Sequence, residues 1–172
     1  RRRDMAAKST APAIEQLSPE EVTRLADDTI AAFVRKCEDS EGWSDLAPKE
    51  HVRVSKKELP NSPYKAIRGV GNVQVDIERL FELTKQVDHI SKWDPLFIGG
   101  RILQTIDENT DIITVSYRSG VPLIAGRDFC YLEARRKLED GSYVVATSSV
   151  RHSACPEVRK FVRAEEHSSG WL

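Results

Sequence analysis

The apolar positions of this chain fall into two regimes, one helical and one alternating. Val22, Leu25, Ala26, Thr29, Ile30, Phe33, Val34 and Cys37 recur at helical spacing and share one stripe. Ser18-Pro19-Glu20-Glu21 opens that helix: Ser18 can cap it, Pro19 suits the first helical position, and Glu21 completes a capping box. The helix is expected to close near Ser40 to Gly42. After Trp43 the period shifts. Val52 and Val54 alternate with Arg53 and Ser55, and Tyr64 to Val75 predicts a strand with a bulge or close backbone approach at Gly69 and Gly71. Pro60-Asn61-Ser62-Pro63 supplies the turn between them. Asp76 can cap a second helix whose Leu80, Phe81, Leu83 and Val87 suit burial, and Asp88 opens a short turn ending at Trp93-Asp94-Pro95.

From Ile102 onward the pattern is that of strands. Ile102, Gln104 and Ile106 alternate with Leu103 and Thr105, Asp107 to Asp111 breaks the run, and Ile113, Val115 and Tyr117 resume it as a hairpin. A loop with Gly120 and Pro122 follows. Cys130, Leu132, Ala134, Arg136 and Leu138 share a face, Asp140-Gly141 is a favoured two-residue turn, and Tyr143 to Arg151 returns. Past Pro156, Phe161 to His167 predicts a third strand. The expected fold class is α+β, with a curved antiparallel β-sheet.

Composition narrows the function classes. The chain has 172 residues, the size of one domain, with 40% hydrophobic and 31% charged residues. No apolar run approaches the ~20 residues of a spanning helix. A net charge of -1 gives no electrostatic reason to expect nucleic acid as a partner. Cys37, Cys130 and Cys155 form an odd set without Cys-x-x-Cys spacing, which points to a reducing, cytoplasmic home. Residues 1–17, with Arg1-Arg2-Arg3 at their start, are expected to be a disordered N-terminal lead-in, and residues 18–172 to form the domain.

Six ordered pieces then carry a resemblance. Trp93-Asp94, Arg127-Asp128-Phe129, Ser149-Val150-x-His152, Pro156, Phe161-Val162-Arg163-Ala164-Glu165 and Gly170-Trp171 resemble, in order and approximate spacing, the StAR-related lipid-transfer (START) domain. The resemblance covers about Ser18 to Leu172. It implies a helix-grip fold, a curved antiparallel sheet around a hydrophobic tunnel with an N-terminal helix and a C-terminal lid helix. That lid helix is expected to be missing from this chain, so the domain is read as incomplete at its C-terminus. The implied partners are a lipid ligand (sterol, phospholipid, ceramide or fatty acyl) and a transient membrane surface.

The resemblance also nominates site residues. Asp94, after Trp93, matches an acidic residue used in headgroup contact by phosphatidylcholine- and ceramide-binding members. Those members carry a basic residue three positions before the tryptophan, where this chain has Ile90, so a sterol or another weakly polar lipid is favoured. Val115 and Glu133 occupy the strand positions where the sterol-binding prototype has a buried acid and base, and only Glu133 is ionisable. Thr147 matches a ligand-contacting amide of ceramide-transfer domains, and Ser149 shares its face. These hydroxyls either join Tyr117 in offering hydrogen bonds into the tunnel or are solvent-facing strand hydroxyls.

Trp93, Asp94, Val115, Tyr117, Arg127, Thr147, Ser149 and His152 are therefore the tunnel candidates. Among them the blander readings are a turn-fixing charged pair for Arg127-Asp128, a local hydrogen bond near Pro156 for His152, and core or cavity wall for Trp93. His51 and His167 have no metal-like spacing, Cys130 and Cys155 read as small buried hydrophobes, and neither a metal nor a cofactor is expected. No nucleophile elbow, Gly-rich phosphate loop or His-Glu-x-x-His is present, so no catalytic residue is nominated. The expected function is non-enzymatic lipid carriage. The alternatives are a lipid-sensing module of a longer multidomain protein and a small-molecule enzyme on a related scaffold.

Overall fold

The computed structural model describes residues 9–47, 51–60, 62–166 and 168–172. Helix α1 spans Pro19–Glu38 and begins as its sequence predicts: Ser18 Oγ accepts from Glu21 N at 3.2 Å, and the Glu21 carboxylate accepts from Ser18 N at 2.8 Å. Two otherwise unpaired N–H groups are thereby satisfied. The stripe buries Val22, Ala26, Thr29 and Ile30, and the Thr29 hydroxyl is satisfied by donating to Leu25 O at 2.7 Å.

A small antiparallel sheet follows, β1 (Trp43–Asp45), β2 (Arg53–Glu58) and β3 (Lys65–Val70), in that order. Its β2–β3 register runs unbroken from Arg53↔Val70 to Glu58↔Lys65, so the glycines make no bulge. Gly71 serves close approach instead, since a Cβ there would lie 3.2 Å from Val52 Cγ2. Asn61 of the expected turn lies outside the described residues. Helix α2 (Ile77–Thr84) is capped by Asp76, whose Oδ1 accepts from Arg79 N at 2.9 Å, and a 3-10 turn covers Val87–Lys92. Contrary to expectation, no residue of α2 is buried; Phe81 leans on Tyr143 with centroids 4.8 Å apart.

The larger sheet comprises β4 (Phe97–Asp107), β5 (Thr110–Tyr117), β6 (Gly126–Lys137), β7 (Tyr143–Ser149), β8 (Phe161–Arg163) and β9 (Ser169–Trp171), in the order β4-β5-β6-β7-β9. Three register shifts against β5 bend β4, and extra residues of this kind raise local twist and curl a sheet. Gly141, at φ 86°, makes the tight β6–β7 turn. Alternation then divides the sheet's side chains between two faces. Ile112, Cys130, Leu132, Ala134, Val144 and Ala146 meet Val22, Ala26 and Ile30 of α1. Ile113, Val115 and Tyr131 meet Val87, with Ile90, Phe97, Tyr117 and Phe129 around them. Each fully buried aliphatic side chain contributes about 1.5–3 kcal/mol.

Two further expectations are corrected. The lead-in expected to be disordered through Leu17 packs from Ala11 onward: Ile14 is buried in the α1 core, and Ala13 bridges Arg151. Burying an apolar side chain against a preformed core offsets the ordering entropy of a short strap; residues 1–8 lie outside the described part. The strand expected over Phe161 to His167 ends at Arg163 and pairs with β6 in parallel, because Pro156 to Lys160 carries the chain back across the sheet first. His167 is outside the described residues, and β9, antiparallel to β7, was not anticipated. Among the described residues, no helix is long and apolar enough to cross a membrane.

Candidate functional site

The register of β5, β6 and β7 arranges side chains in rows on the face turned away from α1. Val115 lies opposite Phe129, Ile113 opposite Tyr131 and then Ser149, and Asp111 opposite Glu133 and then Thr147. Ile113 and Val115 form an almost fully buried floor. Tyr117 stands edge-on between Phe97 and Phe129, at 5.7 and 6.0 Å between centroids. Aromatic pairs in this geometry add about 0.5–1.5 kcal/mol beyond their area. Burial, and then the negative charges of Asp94, Glu166 and Glu133, push the Tyr117 hydroxyl up to about 12, so it remains a neutral donor.

Polar groups close one end of this floor. Arg135 is fully buried, and its Nη1 donates to Asp111 Oδ2 at 2.8 Å while its Nη2 pairs with Glu133. Thr105 holds the other Asp111 oxygen at 2.8 Å. Burial drives the Glu133 carboxyl up to about 7, against the pull of Arg135 and with the push of Asp111. Glu166 sits beside them, raised by burial, accepting from Thr147 Oγ1 at 2.5 Å. Its own N–H donates to Ser149 Oγ at 2.7 Å. Two carboxyls thus pair with one guanidinium, and a third, Glu166, is held by Thr147 of the neighbouring strand.

Of the sequence candidates, Val115, Tyr117, Thr147 and Ser149 come together on this face. Asp94 lies near Tyr117 at the end of the 3-10 turn, with its Oδ1 accepting from Leu96 N at 2.8 Å. Trp93, which caps that turn, is 54% exposed. Arg127 lies opposite Tyr117 in the ladder but is exposed, and its guanidinium donates to Ala125 O, while neighbouring Asp128 is buried and bound to Arg163 at 2.8 Å. His152 is set apart, where its Nδ1 accepts from Ala154 N at 3.0 Å and lies 3.5 Å from Glu15 of the N-terminal strap. A hollow of about 180 Å³ opens there, lined by Cys130, Ser149, His152, Cys155 and Arg163 among others. Sequence reasoning missed Asp111, Arg135 and Glu166. Opposite charges at Glu133 and Arg135, two apart in an apolar strand, were a legible signal of one face, but Asp111 and Glu166 join them only through the strand register. Among the described residues no group of three or more His, Cys, Asp or Glu could hold a metal ion.

Comparison with known proteins agrees with this architecture. The profile of the START domain matches residues 24–172. Human StAR-related lipid transfer protein 5 is 28% identical over 160 residues, covering 90% of this chain and 74% of that protein. Its solved structure superposes with a TM-score of 0.82 at 26% identity, over 89% of this chain and 74% of that one. A STAR-related lipid transfer protein from Xanthomonas axonopodis shares the fold, with a TM-score of 0.69 at 19% identity over 76% of this chain and 72% of that one. Protein ENHANCED DISEASE RESISTANCE 2-like from Arabidopsis thaliana is 35% identical over 116 residues, which are 66% of this chain and only 16% of that protein. The curved antiparallel sheet backed by α1 is the arrangement of the START helix-grip fold, and the chain belongs to the START domain family.

Proposed function

We propose that this domain binds a single lipid molecule against the face of the sheet turned away from α1 and transfers it between membranes. The observation that carries the reading is the row structure itself: an apolar floor of Ile113, Val115 and Phe129 that ends in the hydroxyls of Tyr117, Thr147 and Ser149. An acyl chain or ring system gains about 0.8 kcal/mol per buried CH₂, and a few polar groups orient it. No catalytic residue is required. The relatives named for lipid transfer support the class of ligand.

The ligand favoured is a sterol or another weakly polar lipid. Arg135 is already paired with Asp111 and Glu133, and burial pushes Glu133 and Glu166 toward their neutral forms, so a phosphodiester would bring a charge that this set does not balance. Entry is through a membrane-facing rim. Val121, Leu123 and Ile124 in the β5–β6 loop are exposed beside exposed Leu96 and Ile98, with Arg118 at the loop's start. Apolar side chains clustered this way suit brief insertion among headgroups.

The test is movement of a fluorescent sterol and of a fluorescent phosphatidylcholine between liposomes. Sterol transfer is expected to exceed phosphatidylcholine transfer. No acceleration with either lipid overturns the carrier reading, and faster phosphatidylcholine transfer overturns the sterol preference. A second reading, a lipid-sensing module in a longer protein, rests on the plant relative, of whose length the matched segment is only 16%. A domain that binds lipid in a filter assay without accelerating transfer would favour it.

A further inference from the structure

We propose that Cys130 and Cys155 are a peroxide-oxidisable dithiol that closes to an intrachain disulfide. Cys130 lies in the middle of β6, directly opposite Thr114 of β5. Cys155, in the crossing between β7 and β8, donates its S–H to Thr114 Oγ1 at 3.3 Å, which brings its sulfur to the Thr114–Cys130 pair. Both thiols are free, both belong to one buried cluster, and both line the hollow of about 180 Å³.

The two sulfurs are unequal, as an attacking and a resolving thiol must be. Burial, and then contact with Cys155, push the Cys130 thiol up to about 12. Cys155 Sγ instead accepts from Arg163 Nη2 at 3.4 Å, and its carbonyl accepts from the same nitrogen at 3.2 Å. The hollow has room for a hydroperoxide. The Cys155 thiolate attacks one peroxide oxygen; an S–O bond forms, the O–O bond breaks, and hydroxide leaves, giving Cys155 sulfenic acid. The Cys130 sulfur then attacks the Cys155 sulfur, its proton leaves with the hydroxyl as water, and the S–S bond forms. Two thiols and one hydrogen peroxide thus give one disulfide and two waters. The bond would tie the β7–β8 crossing to the centre of β6.

The experiment uses the full chain with Cys37→Ser, which removes the third thiol, treated with hydrogen peroxide. The expected result is a mass lower by about 2 Da, a non-reduced peptide map linking the Cys130 and Cys155 peptides, and reversal by dithiothreitol. The crosslink should raise the thermal midpoint by roughly 5–10 °C. In Cys130→Ala, dimedone should trap Cys155 as a sulfenic acid. Two thiols still free in the unfolded, peroxide-treated protein overturn the proposal. So does dimedone labelling of Cys155 that persists while Cys130 is present and free.

Discussion

Arg135 and Asp111 meet across the β5–β6 ladder at 2.8 Å, with the guanidinium fully buried and Glu133 on its other side. Their Cα atoms are not opposite in the register; Asp111 faces Glu133, and Arg135 reaches diagonally to it. Removing the base therefore strands two buried acids. Arg135→Met is expected to lower stability by about 3–5 kcal/mol in urea unfolding, and adding Asp111→Leu and Glu133→Leu should recover most of that loss. A triple variant as unstable as the single one would show that packing, not charge, dominates there.

Glu133 predicts a pH dependence. Its folded value of about 7 lies above the ordinary 4.5, so between these the folded chain holds a proton that the unfolded chain releases. This contribution is complete below pH 4.5 and is lost as pH rises through about 7, and Glu166, also raised, acts in the same direction. Glu15, held down to about 2 by hydrogen bonds from Ser153, opposes it only in acid below pH 4.5. Urea midpoints measured from pH 5 to pH 8 should fall, and Glu133→Gln should flatten that slope. A slope unchanged in the variant would remove Glu133 as its cause.

Leu123 sits at φ 66° with its side chain fully in solvent, a conformation that disfavours a branched residue. Leu123→Gly should stabilise the fold by about 0.5–1 kcal/mol, since strain is relieved and no buried area is lost. The same change should slow lipid transfer between liposomes several-fold. Gain of stability with loss of transfer separates the rim's role from its folding.

Gly100 marks the seam between β4, β5 and the 3-10 turn. A Cβ there would meet Thr114 O at 2.7 Å, Val87 Cγ1 at 2.8 Å and Val115 Cγ1 at 2.9 Å. Gly100→Ala is expected to cost about 1–3 kcal/mol and to displace Val87 from Val115, a loss visible in near-UV circular dichroism through Tyr117 and Tyr131. A fully native spectrum and melting curve would contradict this packing.

Much of this molecule is local and was legible in the residues. The capping box at Ser18 and Glu21, the cap at Asp76 and the Asp140-Gly141 turn each depend on neighbours a few positions away. Alternation in β5 likewise placed Val115 and Tyr117 on one face. The docking of Ile14, the parallel entry of β8 and the strand β9 were not legible, because each is stabilised by partners more than 20 residues away. Half of the candidate set met on one face; Arg127, in register with Tyr117, is exposed and turned to Ala125 O, and His152 lies apart beside Glu15.

The order of residues by itself determined the helices, the turns, most strands and which side chains share a strand face, since these follow from backbone propensity and a period of two or 3.6. Only the tertiary structure decided which acids share Arg135 and which thiol reaches Thr114. Such pairings depend on register between strands distant in sequence, where a shift of one residue would turn every side chain to the other face.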